Sequence, residues 1–486
     1  MILEIFTGVI LLSLMSVQLL HLLYAYGFIR FFKSHNSSEK ILDLRNNRIR
    51  ELPRVRATVI IPEKNEELEI LRRALEGVAN LDWEREFLEV ILVSDDPRDR
   101  WGEIDNLVHK LSALTKTKIV SLFRESPTGG RNGAINEAIL RSSGDIIAII
   151  DVDSIPSKDF LLKAYKRLSS NECDAVVGRW QGFSYYSTRI GEALATSTIF
   201  FNSILFYGRS SLGLYVIPLG SGTVYRRKVF YDVNFIDHDI VQDDYWIGVK
   251  MFSKGLKTCY EDSALIRVMV PSTYQAFKIQ QSRWAYGAIQ ASIRGLSYIV
   301  RARDKLLKKI ELLIYAFQYI PTLILSIIIP VFTLAYITIR PSQDPAIHLL
   351  PLLALWIISS TTYVIVYVAV IRRRIKISIF KALKRLGTSS AITSTLTPSV
   401  GLSQIRAFFK LREYRYKVTP KGRAEKIFSN VRELVLETLY TILLSAGFIT
   451  SLILHHIGTL IVLGVFLSSY IYTLTIIVLE SHGEKY

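Results

Sequence analysis

The stretch G-D-I-I-A-I-I-D-V-D-S-I-P-S-K-D-F-L, residues 144–161, decides the fold. Its apolar run Ile146–Ile150 has no polar alternation, which is the pattern of a strand buried on both faces of a parallel sheet. The run ends on Asp151-Val152-Asp153, a proline follows, and a helix is expected from near Ser157. Two carboxylates at i and i+2, just beyond the C-terminal end of a buried strand, stand where open α/β sheets bind ligands. Side by side they repel, so they need a cationic partner. Hard oxygen donors suit Mg²⁺ or Mn²⁺, the ions that accompany a diphosphate. An Asp pair capping the next helix is the alternative reading of these residues alone.

Outward from this point the same alternation repeats. Strands are expected at Ala57–Ile61, Leu88–Val93, Thr117–Leu122, Ile146–Ile150 and Ala175–Gly178, with helices between them. That order predicts a parallel sheet covered by helices on both faces.

The rest of the chain is of another kind. Half of its 486 residues are hydrophobic, and the apolar residues gather at the N-terminus and beyond residue 310. Mean hydropathy is +0.28. Ile5–Phe28 is long enough to cross a hydrocarbon core of about 30 Å. It has no basic stretch before it and no small-residue cleavage site after it, so it reads as a span and not as a signal peptide. Further spans are expected near Leu312–Ile337, Ile347–Val370, Leu434–Leu454 and Ile457–Val478. Ile199–Leu219, interrupted by Arg209 and small residues, is expected to pack against the sheet or the membrane surface instead. Basic residues after the first span and Arg372, Arg373, Arg374 and Lys376 after the third place those ends in the cytoplasm. Five spans then put the N-terminus outside and the C-terminus inside a cell membrane.

The net charge of +17 suits a protein lying on anionic headgroups and handling a nucleotide sugar or acidic polymer. Nucleic acid is not among the partners this reading implies. Cys173 and Cys259 have no CxxC spacing, which excludes a zinc ribbon and fits reduced, buried cysteines in a cytosol. His455 and His456 fall at a membrane turn and are expected to be solvated.

Several segments fall into register with the Asp pair. Val59–Pro62 is followed by Asn65-Glu66-Glu67, and Val90–Val93 by Ser94-Asp95-Asp96. A Gly-rich turn, Gly129–Asn136, opens a helix, Gln242-Asp243-Asp244 opens another, and Gln280-Gln281-Ser282-Arg283-Trp284 lies on a long amphipathic helix before the later spans. This set resembles the family 2 inverting glycosyltransferases of GT-A fold. The Q-x-x-R-W signature at Gln280, Arg283 and Trp284 is similar to that of the membrane-integrated group that includes cellulose, hyaluronan and poly-N-acetylglucosamine synthases. Tyr416–Gly422, Y-K-V-T-P-K-G, resembles the gating loop of cellulose synthase.

The resemblance implies a Rossmann-like GT-A domain inserted between transmembrane helices, with amphipathic helices at the interface. The expected organisation is a first membrane helix at 1–32, an interfacial linker at 33–56 and the GT-A domain at 57–270. Interface helices at 271–310, membrane helices at 311–372, an amphipathic segment with the gating loop at 373–430 and the last two membrane helices at 431–486 follow.

It also implies roles. Asp151 and Asp153 hold Mg²⁺ or Mn²⁺. Arg131, Gln280 and Arg283 bind the donor diphosphate, and Asp95 reads the uracil ring of a UDP-sugar. Asp244 is the base, while Asp243, Gly220, Ser221 and Trp284 face the acceptor. Tyr416, Val418, Thr419 and Lys421 close over the site. The sequence departs from the family at Arg131, where lysine is usual, at Pro97, where the turn usually has glycine, and at Gln242-Asp243, the first two positions of the motif that ends in Asp244. The acceptor is a growing glycan or, as the alternative, a membrane lipid such as a polyprenyl phosphate. An inactive scaffold or transporter subunit is disfavoured, since Asp151, Asp153, Asp244 and Arg283 are all present and the spans carry few ionisable groups.

Overall fold

The computed structural model describes residues 1–45, 52–410, 419–425 and 431–482. Helix α1, Ile2–Arg45, leads into a sheet of eight strands: β1 Ala57–Glu63, β2 Leu88–Ser94, β3 Lys118–Phe123, β4 Ile146–Ile149, β5 Ser154–Pro156, β6 Ala175–Ser184, β7 Thr223–Arg226 and β8 Thr258–Val270. Around it lie α2 Leu68–Ala79, α3 Arg98–Thr115, α4 Gly130–Arg141, α5 Phe160–Ser169, α6 Arg189–Phe201, the short α7 Arg209–Ser211 and α8 Lys228–Asp232, and α9 Asp243–Ser253. The long α10, Tyr274–Arg301, and α11, Leu306–Ala316, lead on to α12 Ile320–Ile339, α13 Leu350–Arg374, α14 Ile379–Thr395, α15 Thr397–Phe409, α16 Val435–Ile453 and α17 Ile457–His482.

The strand order is β3-β2-β1-β4-β7-β6-β8-β5. Strands β1 to β4 are mutually parallel, as the apolar runs predict. The sheet as a whole is mixed, because β7 runs antiparallel to both β4 and β6. The sequence reading missed β5, β7 and β8. The first two have three and four residues, and β8 carries charges on a half-buried face that breaks the apolar pattern. Residue 60 pairs with both 91 and 149, so β1, β2 and β4 run in step, with β4 stopping three residues before the other two. Their C-terminal ends therefore bring Glu63–Glu66, Asp95–Asp96 and Asp151–Asp153 to one edge.

Among the described residues, five helices are long and apolar enough to cross a membrane: Ile2–Phe32, Ile320–Ile339, Ile347–Arg374, Val435–Ile453 and Ile457–Glu480. The second begins later than expected. Leu312 belongs to α11, an eleven-residue helix that carries Lys308, Lys309 and Glu311, and Pro321 opens α12. Ile199–Leu219 does not span. It continues α6 through a π-helical turn, Asn202–Gly208, that packs on α1. Gly27 and Gly208 face each other there, and a side chain on either would collide with backbone of the other element.

Two cysteine and histidine expectations are corrected. Cys173 and Cys259 form a disulfide, because the parallel β6 and β8 set Val176 beside Cys259 and bring the two cysteine Cα atoms to 5.8 Å. His456 is buried, 5% exposed, with its Nδ1 2.8 Å from the Tyr336 hydroxyl.

Buried ion pairs join the sheet domain to the helices. Arg209, wholly buried, donates from Nε and Nη2 to the Glu311 carboxylate at 2.8 and 3.0 Å. Tyr24 of α1 donates to the same carboxylate at 2.6 Å, and the Tyr315 ring lies 3.9 Å from the guanidinium. Arg374, at the end of α13, grips Asp262 of β8 through two hydrogen bonds of 2.6 and 2.8 Å. Removing one partner of such a pair strands a charge. Glu311→Gln is therefore expected to cost about 3–5 kcal/mol, read as a lowered unfolding temperature in detergent, whereas Glu172→Gln, on an exposed pair with Arg167, should leave it unchanged.

Candidate active site

The strand ends open into one cavity of about 1840 Å³, and Asp95, Arg131, Asp151, Asp153, Gly220, Ser221, Asp243, Asp244, Gln280, Arg283, Trp284, Thr419 and Lys421 all line it. The structure thus brings together every site residue expected from sequence within its described part. Tyr416 and Val418 lie outside the described residues.

Arg131 sits at the centre. Its position on the first turn of α4 follows from the turn at Gly129 and Gly130, both at positive φ, which glycine adopts without steric cost. Its Nη2 donates to Asp151 Oδ1 at 2.7 Å and to the Gly220 carbonyl at 2.8 Å, and its Nη1 donates to Asp243 Oδ2. One guanidinium thus ties the strand-end carboxylates to the start of α9.

Asp153 has a different cation. Lys421 Nζ lies 2.6 Å from its Oδ2 and 4.0 Å from Glu66. Lys421 belongs to the segment that the resemblance makes a closing loop, and its side chain is only 20% exposed. Burial disfavours its charge, yet Asp153, Glu66 and Asp151 more than offset that, and its pKa stands above the ordinary lysine value. Glu66 is pushed upward, first by burial and then by Asp153 and Asp151, with Lys421 opposing.

Asp244 is held by backbone. Gly220 N–H donates to its Oδ2 at 2.9 Å and Tyr245 N–H to its Oδ1 at 2.7 Å. A Cβ at 220 would sit in van der Waals contact with that carboxylate, 3.4 Å from its Oδ2. Burial first, and the charge of Asp243 second, push the Asp244 pKa up to about 7. Ser221 supports the other wall: its Oγ accepts from Asp151 N–H at 3.0 Å and donates to Ser154 Oγ at 2.9 Å.

Asp95 is buried against Arg124, whose Nη1 lies 2.9 and 3.2 Å from its two oxygens. Arg124 also donates to the carbonyls of Thr128 and Gly130, so it sets both Asp95 and the Gly-rich turn. Sequence reading passed over Arg124. The available signal was its place just after β3, level with Asp95 after β2. Glu66 was missed as a site residue for a similar reason, since its role depends on Lys421 arriving from 355 positions later in the chain.

No cluster of three or more His, Cys, Asp or Glu forms a protein cage for a metal among the described residues. Asp151 and Asp153 nonetheless fit a divalent ion. They are hard oxygen donors in a site that already draws two cationic side chains, and Mg²⁺ commonly takes one or two carboxylates with substrate phosphates completing its shell.

Comparison with known proteins agrees with this geometry. Residues 58–233 match the model of glycosyl transferase family 2, and residues 146–371 match glycosyl transferase family group 2. The chain is 31% identical over 423 residues to a probable glycosyltransferase of Sulfolobus acidocaldarius, covering 86% of this chain and 88% of that one. It is 24% identical over 231 residues to a poly-beta-1,6-N-acetyl-D-glucosamine synthase of Staphylococcus aureus, covering 47% of this chain and 53% of the relative. Among solved structures, a mannosyltransferase from Pyrobaculum calidifontis, determined with GDP-Man and Mn²⁺, superposes with a TM-score of 0.50 at 16% identity, covering 83% of this chain and 99% of its own. The chain belongs to glycosyl transferase family 2, with a GT-A fold flanked by membrane helices.

A carboxylate that must be ionised to accept a proton loses that capacity as pH falls through its pKa. If Asp244, raised to about 7, is the base that the sequence resemblance implies, kcat/KM for sugar transfer falls about tenfold per pH unit below that value. Glu63, also raised to about 7, by burial, and Glu66, raised first by burial, are further candidates for such a limb. The limb should persist in Glu63→Gln. A profile flat from pH 5 to 8 would contradict the assignment.

Proposed function

We propose that this protein is an inverting glycosyltransferase that moves a hexose or N-acetylhexosamine from a UDP-sugar to a growing glycan, which leaves between its own membrane helices. The observation that carries this reading is the continuity of the cavity. From Asp151 and Asp244 it passes Trp284 and runs on between α1, α13 and α14, where Gln18, His21, Tyr363, Ser390, Thr393 and Ser394 line it. Hydroxyl, amide and aromatic groups without formal charge suit a neutral sugar chain, with aromatic faces meeting the C–H faces of the rings. The likeness to a poly-N-acetylglucosamine synthase supports the same class of product.

The residues have the following roles in this reading. Asp95, oriented by Arg124, reads the base. Arg131 and Arg283 donate to the diphosphate, Gln280 adds a polar contact, and Thr419 and Lys421 close the site and exclude water. Asp151 and Asp153 would hold Mg²⁺ or Mn²⁺, which when bound neutralises charge on the departing diphosphate. The acceptor hydroxyl gives its proton to Asp244 while its oxygen attacks the anomeric carbon. The bond from that carbon to the diphosphate breaks, and its electron pair leaves with the nucleotide. Gly220, Ser221, Asp243 and Trp284 hold the acceptor.

The basic residues flanking the first and third spans favour a cytoplasmic site and an N-terminus outside.

Purified protein incubated with labelled UDP-sugars and GDP-mannose tests the reading, with products separated by size and by solvent extraction. A polymer from one UDP-sugar is expected. A product confined to the organic phase would instead show a lipid acceptor, and turnover with GDP-mannose alone would overturn the donor assignment. On the productive donor, Asp244→Asn should lower kcat by roughly 10²–10⁴-fold with donor affinity little changed, and wild-type turnover in that variant would remove Asp244 as the base.

A further inference from the structure

Helix α10 carries Gln280, Arg283 and Trp284 into the cavity. Its later turns are tied to the sheet domain by Gln290 and Arg294, which bond Val241 and Asp239, whereas Tyr274 and Lys278, in the turns that carry the motif, are anchored on the other side by a distant part of the chain. Glu437, in the first turn of the membrane helix α16, is fully buried. Its Oε1 lies 2.6 Å from Lys278 Nζ and accepts from Tyr274 Oη at 3.1 Å and from Ser399 Oγ at 3.2 Å. Lys278 also donates to the Glu433 carbonyl at 2.7 Å. At about 100° per residue, Tyr274 and Lys278 lie about 40° apart on one side of α10. Gln280, Arg283 and Trp284 fall within an arc of about 100° on the opposite side.

We propose that Glu437 is a positioning residue for Arg283 and Trp284: by gripping Lys278 and Tyr274 on the back of α10, it fixes the rotation at which the front presents those side chains to the cavity. The proposal rests on the transfer reading above for the use made of Arg283 and Trp284.

A second contact from the same stretch of chain acts on the same helix. Glu425 Oε1 accepts from the backbone N–H groups of Ser272 and Thr273 at 2.6 and 2.7 Å, and from Thr273 Oγ1 at 3.1 Å. Thr273 is the N-cap of α10. Four residues earlier, Lys421 pairs with Asp153. The segments 419–425 and 433–437 thus touch the strand-end carboxylate, the start of α10 and the back of α10 in turn. They join the membrane helix α16 to both halves of the site.

The magnitude is adequate. A rotation of about 15° carries a side-chain atom at a radius of about 6 Å through roughly 1.5 Å. Misplacement of about 1 Å can cost on the order of 10²-fold in rate. A buried carboxylate suits the task, since its hydrogen bonds fix a direction that an apolar contact does not.

The test keeps both charges and changes only reach. Glu437→Asp shortens the acid by one methylene, and Glu437→Asp with Lys278→Arg returns the reach from the cation side. Three quantities are measured in detergent: kcat and donor KM, unfolding temperature, and backbone hydrogen exchange over residues 274–284. Glu437→Asp is expected to lower kcat by roughly 10–100-fold with donor KM changed far less, to raise exchange over 274–284, and to leave the unfolding temperature close to wild type. The double variant should recover most of the rate and the protection. Wild-type kcat and exchange in Glu437→Asp would overturn the proposal. A rate loss that follows a fall in unfolding temperature and is not recovered in the double variant would also overturn it, making Glu437 a stability residue only. The exchange measurement needs no donor, so it judges the grip on α10 even if the transfer reading fails on the donor panel.

Discussion

Crowding of negative charge at the ends of β1, β2 and β4 sets the terms for the rest of the site. Glu66, Asp151, Asp153, Asp243 and Asp244 converge there, with Arg131 and Lys421 placed between them. Like charges this close raise each other's pKa or demand cations. Both responses are present. Arg131 joins Asp151 to Asp243, Lys421 takes Asp153, and Asp244, held by two backbone N–H groups, is raised to about 7 by burial and by Asp243, with Arg131 opposing. A site in this condition favours a ligand that brings charge-balanced phosphate and metal together, and it keeps one carboxylate ready for a proton near neutral pH.

The second constraint is mechanical. A GT-A sheet and a membrane bundle that merely touched would move as separate bodies. Here buried pairs cross the boundary: Arg209 with Glu311, Arg374 with Asp262, and Lys278 with Glu437. Each is costly to desolvate and costly to break, so each acts as a directional fastener rather than as a source of net stability. The close approach of Gly27 and Gly208 seats α1 against the same junction. The cavity can therefore run from the sheet domain to the long apolar helices with its walls in fixed register.

The parallel half of the fold was legible because β1, β2 and β4 are buried on both faces and show it as unbroken apolar runs. The membrane helices were legible for the same reason. What escaped was non-local. β7 is four residues long and is a strand only because β4 and β6 flank it. The Cys173–Cys259 disulfide depends on the pairing of β6 with β8, 86 residues apart in the chain. At the site, two carboxylates just past the end of a buried strand named Asp151 and Asp153, while the family resemblance named Asp95, Arg131, Asp244, Arg283 and Trp284. Among the residues around them, Arg124 shows only its place just after β3, and Glu66 and Glu437 carry no local signal. Their importance arises from what the tertiary fold sets against them.

The central claim is that the strand-end carboxylates exist to hold a nucleotide diphosphate together with a divalent cation. Equilibrium binding of UDP to the purified protein, with Mn²⁺ and then with excess chelator, tests it most directly, in wild type and in Asp153→Asn. The account predicts saturable binding that needs Mn²⁺ and is lost or greatly weakened in Asp153→Asn. Equal UDP affinity in Mn²⁺, in chelator and in the variant would contradict it.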